Sequence, residues 1–146
     1  MKALKLIREN EIAEVFLDYK PKKTGIKVRN SDQALDYIRP FWKQINYVES
    51  GCVILMSNAS EVLGHVFIGK GGPTGVVIDP RTLFQTVLLS HAQRFIVIHN
   101  HPSGNLTPSN QDLGIRDRIS TVADALTVSF DDFLIISDHD HISCRT

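Results

Sequence analysis

Three short, unbroken apolar runs constrain this chain more than any other feature: Cys52-Val-Ile-Leu-Met56, Phe95-Ile-Val-Ile98 and Phe133-Leu-Ile-Ile136. At four or five residues each they read as buried strands. Helix patterns with recognisable starts lie between them. Asn30 or Ser31 can cap a helix through Ala34, Leu35, Ile38, Phe41 and Trp42, although Pro40 weakens its second half. Asp79-Pro80 pairs a capping Asp with a Pro at the first helical position and opens a second helix, with Leu83, Val87, Leu88 and Ala92 on one side. A third begins at Ser109 and carries Leu113, Ile119, Val122 and Ala123. Residues 57–60 form a turn, and 62–68 return as a second strand of a hairpin. Residues 69–75, rich in glycine, form a loop. Further strands are expected over 11–19, 26–29 and 128–137. Strands interleaved with three helices define an α/β layered fold whose sheet is mixed and mostly antiparallel.

A chain of 146 residues fits one domain, here 1–146, with 1–29 as an N-terminal extension of the same unit. Sixteen basic residues balance sixteen acidic ones, so no long-range field draws the chain to a polyanion, and charge gives nucleic-acid binding no support. The nearest basic patch, Lys20, Lys22, Lys23, Lys27 and Arg29, has no interleaved aromatics and reads as a solvated loop and strand edge. The apolar start is too short for a signal segment, and no run approaches the ~20 apolar residues that cross a bilayer. Cys52 and Cys144, without motif spacing, read as free thiols in a reducing compartment. A cytoplasmic protein is therefore expected.

The chemistry concentrates in His99-Asn-His-Pro-Ser-Gly-Asn-Leu-Thr-Pro-Ser109-Asn-Gln-Asp112. His99 and His101 stand at alternate positions after a buried strand, so in extended backbone both imidazoles leave one face. Two neutral imidazoles so close make a divalent-metal pair, and a catalytic zinc site takes three protein ligands and keeps one position open. Asp112, in the first turn of the following helix, is the candidate third ligand, and the helix N-terminus favours negative charge there. Ser109-Asn-Gln-Asp112 also has the form of a capping box with Asp in place of Glu or Gln, which alone would account for both residues. His65 and His91 fall inside apolar strand and helix patterns as partly buried structural histidines. Asp138-His-Asp-His141 reads as a polar hairpin turn rather than a second metal site.

The spacing His-x-His, seven residues, Ser, two residues, Asp resembles the signature of JAMM/MPN metalloproteases. The fuller text, HNHPSG followed by TPS and D, resembles their bacterial RadC-type (UPF0758-like) branch. The resemblance extends from about residue 49 to about 137 and implies an MPN/cytidine-deaminase-like layered fold. It implies that His99, His101 and Asp112 ligate one zinc ion, that Ser109 hydrogen-bonds the tetrahedral oxyanion, and that an upstream glutamate is general base. Glu49, at the head of a core strand, is assigned that role in preference to Glu61, which falls at a hairpin turn. The implied reaction is hydrolysis of an amide bond, in a peptide or isopeptide, with a peptide or protein as partner. Two departures stand out. Longer relatives of RadC type usually carry a helix-hairpin-helix DNA-binding module ahead of this domain, and none is expected within these 146 residues. They also have Asp-His in the last core strand, where this chain has Asp131-Asp132.

Other classes remain open. A non-catalytic MPN-fold module could bind a protein or nucleic-acid partner with the same surface, but such modules lose ligands and this chain keeps all three. A zinc nucleobase deaminase would want His-x-Glu and Pro-Cys-x-x-Cys, and the chain has neither.

Overall fold

The three apolar runs form the interior of one sheet. A computed structural model describes residues 23–71 and 78–145 in full, together with the backbone of two N-terminal strands. Those two are β1 (Lys2–Arg8) and β2 (Glu11–Leu17), paired antiparallel with Lys2 opposite Leu17 and Arg8 opposite Glu11. The remaining elements are α1 (Ser31–Ile38), β3 (Ser50–Met56), β4 (Val62–Lys70), α2 (Pro80–Leu89), β5 (Arg94–Asn100), α3 (Asn110–Leu126), β6 (Ser129–Ile136) and β7 (His141–Ser143). The five-stranded sheet has the order β4-β3-β5-β6-β7, with β5 and β6 parallel and every other neighbouring pair antiparallel. The parallel pair needs a crossover connection, and α3 supplies it. The fold is thus the expected α/β layering of three helices on a mixed, mostly antiparallel sheet.

Both faces of the sheet are covered, which is why the central strands are apolar without alternation. Cys52, Ile54, Met56, Ile96, Ile98, Leu134 and Ile136 pack with Ala34, Leu35 and Ile38 of α1. Val53, Leu55, Phe95, Val97, Phe133 and Ile135 pack with Leu83, Phe84 and Val87 of α2 and Ile119 and Ala123 of α3.

Four expectations need correction. The first helix stops at Ile38, because Pro40 cannot continue its ladder, and residues 39–41 form a 3-10 turn that carries Phe41 and Trp42 off the helix. Arg39 then ties this corner to the far sheet edge by donating to the carbonyls of Ser137 and Asp138, both at 2.9 Å. Leu88 is 51% exposed, and the buried stripe of α2 runs through Phe84 instead. His91 is exposed beyond the end of α2, with φ 57°, rather than packed inside a helix. The strand expected over 26–29 is reduced to a bridge between Lys27 and Glu61; β2 spans Glu11–Leu17, and the last two residues of the strand expected over 11–19 lie outside the described residues. Lys20, Lys22 and most of the glycine-rich loop lie outside the described residues; Lys27 donates to the carbonyl of Ala59. No helix among the described residues is long and apolar enough to cross a membrane.

Asn30 holds the first turn of α1 by accepting from the Gln33 amide at 2.8 Å. Asn30→Ala is expected to cost about 1 kcal/mol, a typical loss for a polar N-cap. Asn30→Asp should cost little. Urea midpoints of the three proteins check this.

Candidate metal centre

Alternation along β5 decides which side chains meet. Phe95 and Val97 face the α2/α3 layer, so His99 and His101 follow them to that side, while Asn100 turns with Ile96 and Ile98 toward α1. His101 stays in line because its amide donates to the Ile136 carbonyl at 2.8 Å. The chain then turns: the Gly104 amide closes on the His101 carbonyl, and Gly104 takes φ +83°, a conformation that favours glycine. This loop brings the start of α3 over the strand end.

At that helix start the capping box is present. The Ser109 hydroxyl accepts from the Asp112 amide at 3.0 Å, and the Asp112 carboxylate accepts from the Ser109 amide at 2.8 Å. It does not exhaust Asp112. The carboxylate is buried at 8% exposure and also faces both histidines, with Oδ1 3.6 Å from His99 Nε2 and Oδ2 3.3 Å from His101 Nε2. One residue therefore caps the helix and completes a three-residue cluster, so the two readings of this stretch are compatible.

The tautomers follow from the partners. His99 Nδ1 lies 3.1 Å from the Ser50 carbonyl, and His101 Nδ1 lies 2.7 Å from the Asn105 carbonyl. A carbonyl only accepts, so both Nδ1 atoms carry the proton and both Nε2 atoms present a lone pair to the cluster. Backbone carbonyls holding the far nitrogen are the usual support of metal-ligating imidazoles. One ligand atom from each of His99, His101 and Asp112 lies within 4.8 Å of the others. Two tetrahedral ligands at ~2.0–2.1 Å from a zinc ion stand about 3.3 Å apart, close to the separations between Asp112 and the imidazoles. The donor set of two imidazoles and a carboxylate also suits zinc or a similar first-row ion. The cluster can bind a metal ion, and no second group of this kind occurs among the described residues.

Burial pushes the His99 imidazole below its ordinary range, against the opposing pull of the Ser50 carbonyl and the Asp112 charge. The fold thus favours the neutral form that a metal requires. In metal-stripped protein the unfolded chain binds the extra proton. The stability His99 contributes should be whole above pH ~6.5 and be lost as pH falls through its depressed folded value. Urea midpoints of stripped wild type should fall more steeply below pH ~6.5 than those of His99→Gln; parallel curves would contradict this.

Glu49 immediately precedes β3. Gly51 pairs with His99 and Met56 with Arg94, so Glu49 stands at the histidine end of the sheet and Glu61, in the β3–β4 turn, at the other. Glu49 directly precedes Ser50, whose carbonyl accepts from His99 Nδ1, whereas Glu61 accepts from the Gly25 amide. Beside Ser50 opens a groove of about 740 Å3 lined by Phe41, Trp42, Lys43, Phe67 and Lys70. His65 is half-buried in the aromatic cluster next to it, 2.8 Å from the Tyr37 hydroxyl. Asp131 and Asp132 are committed elsewhere: Asp131 pairs with Arg94 at 2.8 Å, and Asp132 accepts from the Ser143 hydroxyl. In the Asp138–His141 stretch the Ser137 amide closes a turn on the Asp140 carbonyl, and His141 begins β7.

Sequence reasoning missed Asn100, which is fully buried. Its amide nitrogen donates to the carbonyls of Ile45 and Val48 at 2.8 and 2.9 Å, and its oxygen accepts from the Ser50 amide at 2.6 Å. The signal was present. Period-two alternation sends the residue between two like-facing histidines into the opposite apolar layer, and a buried amide there must have partners.

A family profile described as RadC-like JAB domain matches residues 28–146. A UPF0758 protein of Flavobacterium johnsoniae is 32% identical over 80% of this chain and 51% of its own length. A UPF0758 protein of Finegoldia magna is also 32% identical, over 67% of this chain and 44% of its own length. One from Clostridium acetobutylicum is 28% identical over 99% of this chain and 62% of its own length. The chain thus spans about half the length of these relatives. The match runs wider than the resemblance around the histidines, since it takes in α1 and β7 as well. With the histidine-aspartate cluster at its centre and the sheet and all three helices inside the matched residues, the chain belongs to the RadC-like JAB domain family.

Proposed function

We propose that this domain is a zinc-dependent hydrolase of amide bonds in peptides or isopeptides. One observation carries the reading: two imidazoles with fixed tautomers aim their free nitrogens at a buried carboxylate, at the sheet end where Glu49 also stands. His99, His101 and Asp112 would hold the ion. Zinc, when bound, supplies Lewis acidity and brings the pKa of water toward ~7.

The remaining steps fall to side chains. Glu49 takes the proton of the water as its oxygen bonds to the amide carbon and the carbonyl pair moves onto oxygen. The Ser109 hydroxyl, which uses only a lone pair in the capping box, keeps its proton to donate to that oxyanion. Collapse breaks the C–N bond, and Glu49 returns the proton to the leaving nitrogen. The free, buried Cys52 and Cys144 suit a reducing compartment, so the cytoplasm is the proposed location and a peptide or protein the proposed partner. Residues 1–29 belong to the same proposal as an extension of one unit.

Zinc-loaded protein incubated with a peptide library and with isopeptide-linked substrates should cleave members of one or both. Chelation should stop cleavage and added zinc restore it. A fully loaded protein that cleaves nothing would leave a binding module instead.

A further inference from the structure

We propose that Asn100 is a positioning residue that fixes the Glu49 carboxylate relative to the two histidines, an inference that rests on the hydrolase reading above. The segment before β3 has little backbone pairing of its own: the Glu49 carbonyl accepts from the Gly71 amide at 2.8 Å, and the turn before it closes on the Gln44 carbonyl. Residues 43–47 turn, and Glu49 lies between that turn and the first residue of the strand. Such a segment, half-exposed at Val48 and Glu49, would ordinarily sample several conformations.

Asn100 limits the freedom those bonds leave. Three of its hydrogen bonds reach this segment, to Ile45, Val48 and Ser50, and so bracket Glu49 on both sides. Ser50 is gripped twice: its amide donates to Asn100, and its carbonyl accepts from His99 Nδ1. Consecutive residues of β5 thus hold the two ends of the Ser50 residue from opposite faces of the sheet. Any shift of the metal-holding strand carries the base-bearing segment with it, so the distance between the proposed base and the ion's ligands is set by one residue of strand. An aliphatic residue would suit the apolar layer at this position as well as Ile96 and Ile98 do. A buried amide with every polar atom spent on one segment has its purpose in that segment.

Asn100→Ala in the full chain, loaded with zinc, tests this by amide hydrogen exchange beside kinetics. Exchange at Ser50 should quicken tenfold or more while Val53 and Val97 in the core are unchanged. The zinc content and KM should hold within twofold, and kcat should fall at least tenfold. Unchanged exchange at Ser50, or unchanged kcat in a loosened segment, would overturn the proposal. Zinc lost as completely as in a histidine variant would also overturn it, by assigning Asn100 to the metal alone. Should the alanine variant not fold, Asn100→Ser, whose hydroxyl is too short to serve three partners, should show the same changes at smaller amplitude. Wild type that cleaves nothing would sink the hydrolase reading and the kinetic arm with it. The exchange arm reads the grip of Asn100 independently.

Discussion

His101→Ala is expected to abolish metal binding while leaving the fold in place. Supporting partners of a metal ligand are each worth roughly ten- to a hundredfold in affinity, so loss of a direct ligand among three should exceed ~100-fold. The fold should survive because the backbone bond from His101 to the Ile136 carbonyl does not depend on the side chain, and the imidazole lies outside the two apolar clusters. Wild type purified gently should hold about one zinc per chain, and the variant almost none at the same free metal concentration. His139→Ala makes the control: its side chain is 91% exposed in the turn before β7, and the zinc content should not change. Equal metal in His101→Ala and wild type would show that the ion, if any, binds elsewhere.

Glu49→Gln separates holding a metal from using it. The substitution keeps length and shape and removes only the ability to take a proton. Glu49 is outside the three-residue cluster, so zinc content should stay at the wild-type level. A general base contributes roughly 10²–10⁴-fold, and kcat for any peptide the wild type cleaves should fall by that factor. Unchanged kcat with zinc in place would move the base to another residue. Glu61 is no substitute, since it follows the Met56 end of β3, opposite the end where Gly51 pairs with His99.

Two rules make most of the centre legible in the sequence. Period-two alternation put His99 and His101 on one face, and helix capping put Ser109 and Asp112 at a helix start. What neither rule could give is that the loop through Gly104 folds the one onto the other, because that depends on a positive φ and a turn closed on His101. Asn100 escaped notice for a related reason. Its polarity blends with the motif around it, whereas its side chain belongs to the opposite layer.

The sheet was legible where burial on both faces left unbroken apolar text, as in β3, β5 and β6. It was not where strands are short or polar: β7 has three residues, and β1 sets a basic residue, Lys2, Lys5 or Arg8, at every third position and pairs with β2. Helix starts are legible at Asp79, at Ser109 and at the pair Asn30 and Ser31, of which Asn30 is the cap, since capping is local chemistry. Helix faces were less secure. Leu88 fits the apolar spacing of α2, yet the sheet receives Phe84 and leaves Leu88 in solvent, a choice made by tertiary packing.

The most direct test of a two-histidine, one-carboxylate centre is X-ray absorption at the zinc edge of the loaded wild-type protein. The spectrum should fit about four light-atom neighbours at ~2.0–2.1 Å with the outer-ring scattering of two imidazoles, and His101→Ala should lose that signature together with the metal. A shell containing sulfur near ~2.3 Å, or one of oxygen alone with no imidazole scattering, would contradict the account.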